Sequence, residues 1–440
     1  MSSKCVLLLL DGLGDRSYTE FGDQTPLQKA HTPNLDKLAN LGGNGLYHAG
    51  IPGQALPSEM AHFSLFGYEQ KDFPGRGPLE ALGGGVDLQP RDVALMAHLV
   101  SLQESEGCLR LYKDRPKANQ EEIFKVSRKI REYEKRNIKV EFQATDKTFG
   151  VLVLKGRVTP YITDSDPLQE NANLAQVRPW EEYEEDLSSL RTCAVLNSYL
   201  VYCYHALSKQ KLNKSRQLAG NAPINGVVTQ RAGWLSEVKS FWEKWGLKGT
   251  SVSSGTIYRG LSRFLGLDFS DSREHADPEQ EIEEKLLEAY NCLDKYDFIH
   301  VHSKWPDKAA HSKDPQNKKE VIEGLDRGIG KVMDSFLSDP AVLLVVTADH
   351  STPSSGKIIH SGEPVPLTFC GSGVRRDKLD KYDEVSLSSG SLGFLRGNEI
   401  MYSILNHLDR IKLSGIRDAP ADNPYTTHNY TPLDIHGYQK

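Results

Sequence analysis

No stretch of this 440-residue chain approaches the roughly 20 consecutive apolar residues that a membrane-spanning helix needs. The N-terminal run Val6–Leu10 is also too short for the core of a signal peptide, and Asp11 ends it. Cysteine is sparse. Cys5, Cys108, Cys193, Cys203, Cys292 and Cys370 are scattered and form no C-x-x-C pair, which argues against a disulfide framework or a zinc ribbon. Several lie in apolar runs and are expected as buried free thiols in a reducing compartment, so the protein is expected in the cytoplasm with no membrane association. Basic residues are not in excess. The formal net charge is −6, so nothing favours nucleic acid as a partner, and a small anionic substrate would need local Lys and Arg. No internal repeat or extended low-complexity tract is apparent. Charged residues at 25% and hydrophobic ones at 38% exclude wholesale disorder, and the length allows roughly two or three domains.

What the chain does contain is a recurring pattern of short apolar runs that end in acids, imidazoles or a hydroxyl. The clearest is AVLLVVTADHSTPSSGKIIHS, residues 341–361. Val342–Thr347 reads as a fully buried parallel strand, and Asp349 and His350 follow it directly, with His360 close behind. In open α/β sheets ligands bind at that end of the strands. Strand Cys5–Leu10 likewise runs into Asp11-Gly12-Leu13-Gly14-Asp15. Ser58 follows Pro57 and precedes a helix-like apolar run from Met60 to Phe66. A hydroxyl there is ordinarily an N-cap, yet a nucleophile in that place would face free N–H groups suited to a phosphate. After strand 296–303, Asp307 and His311 stand four apart, on one face of a helical turn, where a salt-bridged pair is the plain alternative.

Strands alternating with helices predict an α/β core with a doubly wound, mostly parallel sheet. Expected strands are 225–230, 249–254, 296–303, 342–347 and 365–370, with helices 235–246, 257–265 and 318–337. Thr32 is placed as an N-cap with Pro33 as first helical residue. The Gly-rich stretch 74–90 reads as a long irregular loop carrying Arg76. From about residue 92 the texture becomes charge-rich, with strand 94–102, a helix 119–135, strand 151–156, an acidic helix near 180–190 and a helix 192–207. Residues 92–224 therefore read as an inserted domain, leaving 1–91 and 225–440 as the core.

Collected, the strand exits supply Asp11, Ser58, Asp307, His311, Asp349, His350 and His360. Seven ligands exceed one tetrahedral site but suit two metal ions roughly 3.5–4 Å apart, an arrangement for phosphoryl transfer. Mixed carboxylate and imidazole donors suit Mn²⁺ or Zn²⁺, with Mg²⁺ or Co²⁺ as further options.

The motifs D-G-L-G-D, T-P-N-L-D, S-E-M-A-H with L-F-G-Y, G-R-G-P-L-E-A-L-G, D-x-A-x-H, A-D-H-S-T-P and H-S-G-E-P-V-P occur in this order. The chain thereby resembles the alkaline phosphatase superfamily and, more narrowly, the archaeal-type cofactor-independent phosphoglycerate mutases. The resemblance implies an alkaline-phosphatase-like core with a smaller α+β lid, which 92–224 match more loosely. It implies that Ser58 becomes a phosphoserine, that Asp11, Ser58, Asp349 and His350 hold one metal, and that Asp307, His311 and His360 hold the other. It further implies interconversion of 3- and 2-phosphoglycerate, a small phosphorylated metabolite, and Asp166 falls where the family has a similar D-x-D-P, while Arg76, Arg115, Arg231 and Arg259 are the candidate anion contacts for such a substrate. Four positions depart from the family pattern. Leu95-Met96-Ala97-His98 stands where Phe-Arg-Cys-Asn is usual, Thr148-Phe149 replaces a His-Arg pair, Arg231 is moved by one position, and Arg259 replaces a Lys. Loss of cationic anchors leaves a phosphohydrolase or a phosphotransferase on another small metabolite as the alternative, and a non-catalytic metal- or metabolite-binding relative as a third.

Overall fold

The computed structural model of the chain describes residues 3–427 and 431–435. In chain order its strands are β1 (Lys4–Leu10), β2 (Gly43–His48), β3 (Val93–Ser105), β4 (Cys108–Lys113), β5 (Glu132–Lys135), β6 (Ile138–Asp146) and β7 (Phe149–Lys155). They continue with β8 (Gly226–Gly233), β9 (Gly249–Ser253), β10 (Asp268–Asp271), β11 (Phe298–Ser303), β12 (Val342–Thr347), β13 (Val365–Cys370) and β14 (Gly393–Arg396). The chain divides into two compact units. One comprises Met1–Phe73, Val238–Gly255 and Ser262–Lys440, the other Pro74–Glu237 with Thr256–Leu261.

The first unit is built on an eight-stranded sheet in the order β10-β9-β11-β1-β12-β13-β2-β14. Every neighbouring pair is parallel except the two that involve β13. Cys5–Leu10 and Val342–Thr347 are buried throughout, as continuous apolar runs in a parallel sheet must be. Because β11, β1 and β12 are adjacent and in register (Leu9 faces both His302 and Thr347), their C-terminal exits lie side by side. The long helix Pro315–Ser338 packs beside this sheet. It starts on Pro315 after an Asp314 cap and buries Val321, Leu325, Ile329, Val332 and Phe336 as a helical stripe. No helix among the described residues is long and apolar enough to cross a membrane.

The second unit holds a six-stranded sheet, β4-β3-β7-β6-β5 with β8 pairing β3, and every pair in it is antiparallel. The helices Gln120–Ile130 and Leu187–Ser208 contribute Val126, Ile130, Leu196 and Tyr199 to a core with Leu95, Val140 and Leu152.

Several sequence expectations need correction here. The boundaries at 91 and 225 move to 73 and 238, because β8 pairs with β3 and residues 74–91 belong to the same unit. Residues 256–261 also belong to it. The expected loop at 74–90 contains a helix, Arg76–Gly83. Its glycines serve close packing: a Cβ on Gly83 would come within 1.9 Å of Thr256 O, and one on Gly77 within 2.2 Å of Ala94 O. The helix expected over 119–135 stops at Ile130. Residues 132–135 instead pair with β6 through a two-residue turn, Arg136-Asn137, both at positive φ. Near 180–190 there is a short 3₁₀ turn, Glu181–Tyr183, before the long helix begins at Leu187. The helix expected over 235–246 shortens to Phe241–Trp245. Thr32 occupies the N-cap position without a side-chain bond. Asp326 of the long helix instead accepts from Asn34 N and Leu35 N at 3.1 and 2.8 Å.

The loops at the sheet edge are tied together by a buried lysine. Lys318 Nζ donates to Gly14 O (2.9 Å), Thr352 O (2.9 Å) and Asp15 Oδ2 (3.1 Å). It thus holds the β1 exit against the β12 exit. Burial pushes the Lys318 ammonium below its ordinary range, while Asp15 opposes that shift. Lys318→Met leaves Asp15 without its cation and takes a donor from Gly14 O and Thr352 O, and should lower stability by about 3 kcal/mol in denaturant unfolding. On the other side of Asp15, the Glu384 carboxylate accepts Thr25 Oγ1–H (2.8 Å) and Asp15 N–H (3.2 Å). Burial pushes this carboxyl up from 4.5 to about 7. The folded protein therefore binds a proton that the unfolded chain releases, so the associated stability is present below pH 4.5 and is lost as pH rises through 7. Unfolding curves at stepped pH should show Glu384→Gln abolishing a loss of roughly 3 kcal/mol across that window.

Candidate metal centre

Asp11 leaves β1, Asp349 and His350 leave β12, and Asp307 and His311 sit on the short helix Trp305–His311 that follows β11. The backbone fixes their relation. Asp11 N donates to Ser303 O and Asp307 N donates to Asp11 O, each at 2.9 Å. Ser58 opens the helix Ser58–Leu65, but Pro57 is its N-cap residue. The Ser58 hydroxyl does not cap the helix and lies instead 3.0 Å from His350 Nε2.

Two groups of donor atoms result, each with its atoms within 4.8 Å of one another: Asp11, Asp349 and His350, and Asp307, His350 and His360. His350 belongs to both. In the first group its Nε2 lies 3.4 Å from Asp11 Oδ1 and 3.3 Å from Asp349 Oδ2. In the second, Asp307 Oδ1 lies 3.5 Å from His360 Nε2, and His311, outside the group, brings its Nε2 to 3.2 Å from the same oxygen. The rings of His350 and His360 are stacked with centroids 3.8 Å apart. All seven residues expected to form a metal and nucleophile site thus come together within the first unit.

The five expected substrate contacts all lie in the second unit. Arg115 donates to Asp114 Oδ2 (2.7 Å) and lies over the Phe149 ring. Asp166 accepts from Gln230 Nε2 (2.7 Å) and lies 3.7 Å from His98 Nε2. Arg231, at positive φ, donates its backbone N–H to Asp164. Arg76 pairs with Glu80 at the start of its helix, and Arg259 reaches Gly83 O at the end of the same helix.

Burial sets the charge states. It pushes the His350 imidazole down to about 4, against the opposing pull of Asp349 and Asp307. For Asp349 burial acts upward, but the adjacent His350 and His62 outweigh it and hold the carboxyl well below its ordinary range. Asp307 behaves likewise beside His311 and His360. His360 moves up, since its contacts with Asp307 and Leu56 O outweigh burial. Its Nδ1 donates to Leu56 O (2.7 Å), which leaves Nε2 as the nitrogen facing Asp307.

These donors fit divalent metal ions. Asp349 Oδ2 is buried and accepts no hydrogen bond, although two imidazole nitrogens stand 3.3 Å away. A divalent cation among these carboxylates would supply countercharge beyond what the imidazoles provide. A cavity of about 220 Å³ adjoins Asp307 and His311 and is also lined by Lys304, Lys308 and His275.

Two histidines that sequence reasoning passed over support the first group. His302 Nε2 donates to Asp11 Oδ2 at 2.9 Å. His62 Nδ1 donates to Ser58 O at 2.8 Å and lies 3.3 Å from Asp349 Oδ2. Their rings meet edge to face at 4.9 Å, both buried. The available signals were the four-residue spacing of Ser58 and His62 and the H-V-H run of a strand buried on both faces.

An α/β sheet with carboxylates and imidazoles gathered at the ends of its parallel strands defines a metal-dependent class, and residues 3–407 match the family described as the metalloenzyme superfamily. Over 425 residues the chain is 39% identical to 2,3-bisphosphoglycerate-independent phosphoglycerate mutase 2 of Methanocaldococcus jannaschii, covering 94% of this chain and 95% of that protein. The Methanopyrus kandleri enzyme of the same name is 32% identical, covering 94% and 99%. A solved protein from Pyrococcus horikoshii superposes with a TM-score of 0.78 at 30% identity, covering 94% of this chain and all of that one. The cofactor-independent phosphoglycerate mutase of Thermoplasma acidophilum gives 0.66 at 29% identity, covering 92% and 99%. The chain belongs to the metalloenzyme superfamily and, within it, to the family of 2,3-bisphosphoglycerate-independent phosphoglycerate mutases. Membership implies the use of divalent metal ions.

Because His302 orients a carboxylate of this centre, His302→Ala should weaken Mn²⁺ binding by about 10- to 100-fold in calorimetric titration, with His302→Gln recovering part of the loss.

Proposed function

We propose that this protein interconverts 3-phosphoglycerate and 2-phosphoglycerate by way of a phosphoserine at Ser58. The observation that carries the proposal is the 3.0 Å approach of the Ser58 hydroxyl to His350 Nε2, the imidazole common to both donor groups. In this reading Asp11, Ser58, Asp349 and His350 hold one divalent ion and Asp307, His311 and His360 the other, with Mn²⁺ or Zn²⁺ suited to such donors. Ions held there would lower the pKa of the Ser58 hydroxyl and neutralise charge on the transferring phosphoryl group.

Ser58 Oγ attacks phosphorus as the bond to the glycerate oxygen breaks, and that oxygen takes up the proton Ser58 gives away. The other glycerate hydroxyl then attacks the same phosphorus, and Ser58 Oγ leaves and recovers a proton. Burial of Ser58 favours this return over hydrolysis by limiting access of water. The peptide N–H groups at the head of helix Ser58–Leu65 favour a dianionic group on its first residue.

Arg76, Arg115, Asp166, Arg231 and Arg259 are the candidate substrate contacts. Phe149 stands where the family resemblance leads one to expect an arginine, yet the Arg115 guanidinium lies 5.4 Å above its ring and restores a planar cation to that neighbourhood. This supports the mutase reading over hydrolysis of another phosphate ester. Such chemistry belongs in the cytoplasm, where we place the protein.

An enolase-coupled assay with Mn²⁺ should show turnover of 3-phosphoglycerate. Ser58→Ala should lower it by more than about 10³-fold and abolish the phosphoserine peptide seen by mass spectrometry in quenched wild-type enzyme. Protein that binds two metal ions but hydrolyses other phosphate esters and leaves phosphoglycerate untouched would overturn the assignment.

A further inference from the structure

We propose that Thr352 is a positioning residue that couples the two donor groups through a single hydroxyl hydrogen. Thr352 is fully buried, and its Oγ1 lies 3.0 Å from Asp307 Oδ1 and 3.0 Å from His350 Nδ1. The hydroxyl has one hydrogen to give, and a carboxylate oxygen can only accept. That hydrogen therefore goes to Asp307. Oγ1 is left as the acceptor for His350, whose ring hydrogen must sit on Nδ1. The opposite arrangement would set the lone pairs of Oγ1 and Oδ1 against each other at 3.0 Å.

This order of donors has two consequences. At one end, His350 Nε2 is a lone pair aimed at Ser58 Oγ, Asp349 Oδ2 and Asp11 Oδ1, at 3.0, 3.3 and 3.4 Å. At the other, the hydrogen bond fixes Oδ1 of Asp307, the oxygen approached by His311 and His360. Thr352 is itself held from several sides: its N–H donates to Gly14 O (2.9 Å) and its carbonyl accepts from Lys318. Gly12, at φ +67°, leaves room for the hydroxyl, since a Cβ there would stand 2.6 Å from Thr352 Oγ1. A threonine hydroxyl placed between the groups thus sets a histidine tautomer in one and a carboxylate orientation in the other.

The inference rests on the reading of these residues as metal ligands, and the test separates the two. Chelator-treated wild type, Thr352→Ser and Thr352→Val are titrated with Mn²⁺ by calorimetry, with circular dichroism as the control for folding. Wild type and Thr352→Ser should bind two ions with similar affinity, and Thr352→Val should bind both about 10- to 100-fold more weakly. Wild-type affinity in Thr352→Val, or an equal loss in Thr352→Ser, would overturn the role of the hydroxyl while leaving the metal centre in place. A wild type that binds no divalent ion would remove the metal-ligand reading and this inference with it. Should Thr352→Val not fold, ¹⁵N-histidine spectra of metal-free wild type decide the matter, with His350→Asn assigning the signal. A hydrogen on Nδ1 supports the proposal and one on Nε2 overturns it.

Discussion

Three carboxylates, Asp11, Asp307 and Asp349, are buried at adjoining strand exits, and the local structure is organised around keeping them there. Removing such groups from water is costly unless donors and countercharges surround them. Peptide N–H groups meet part of the demand, as when Gly12 N and His350 N both donate to Asp349 Oδ1. Imidazoles meet another part, through His302 at Asp11 and His311 at Asp307. One layer further out, Lys318 ties Gly14 O to Thr352 O and so links the loops that carry Asp11 and Asp349. The fold tolerates the charge because the sheet, the long helix and the loops were shaped together around it.

Two of the imidazoles have one nitrogen committed to a protein acceptor, His360 to Leu56 O and His350 to Thr352 Oγ1. In each ring Nε2 is thereby left as the nitrogen turned toward the carboxylates, so no change of tautomer is needed for it to meet a ligand.

Much of this was legible in the chain itself, and unevenly so. The buried parallel strands announce themselves as uninterrupted apolar runs, so Val342–Thr347 and Val365–Cys370 were placed to the residue, and the acids after them marked the working edge. What escaped depended on contacts between distant residues. Gly77 and Gly83 look like loop residues until the backbone carbonyls of Ala94 and Thr256 are seen against them. The Arg136-Asn137 turn carries no glycine to advertise its positive φ values, so a hairpin strand was read as more helix. Strand β8 has the composition of a core strand, and its partner β3, more than a hundred residues earlier, assigns it to the other unit. The supporting side chains His302 and Thr352 were hidden for the same reason, because their partners Asp11 and Asp307 lie far away in sequence and leave no local periodicity.

The reversed direction of β13 has a further consequence. A parallel successor to β12 would have required the chain to cross to the opposite end of the sheet and return, usually by a helix. Since β13 runs antiparallel to β12, the connecting residues never leave the end at which β12 stops. One uninterrupted hairpin connection can therefore deliver His350 and His360 side by side, ten residues apart in the chain. The same economy makes that connection intolerant of insertion or deletion: a change in its length would displace contributors to both halves of the centre in a single step.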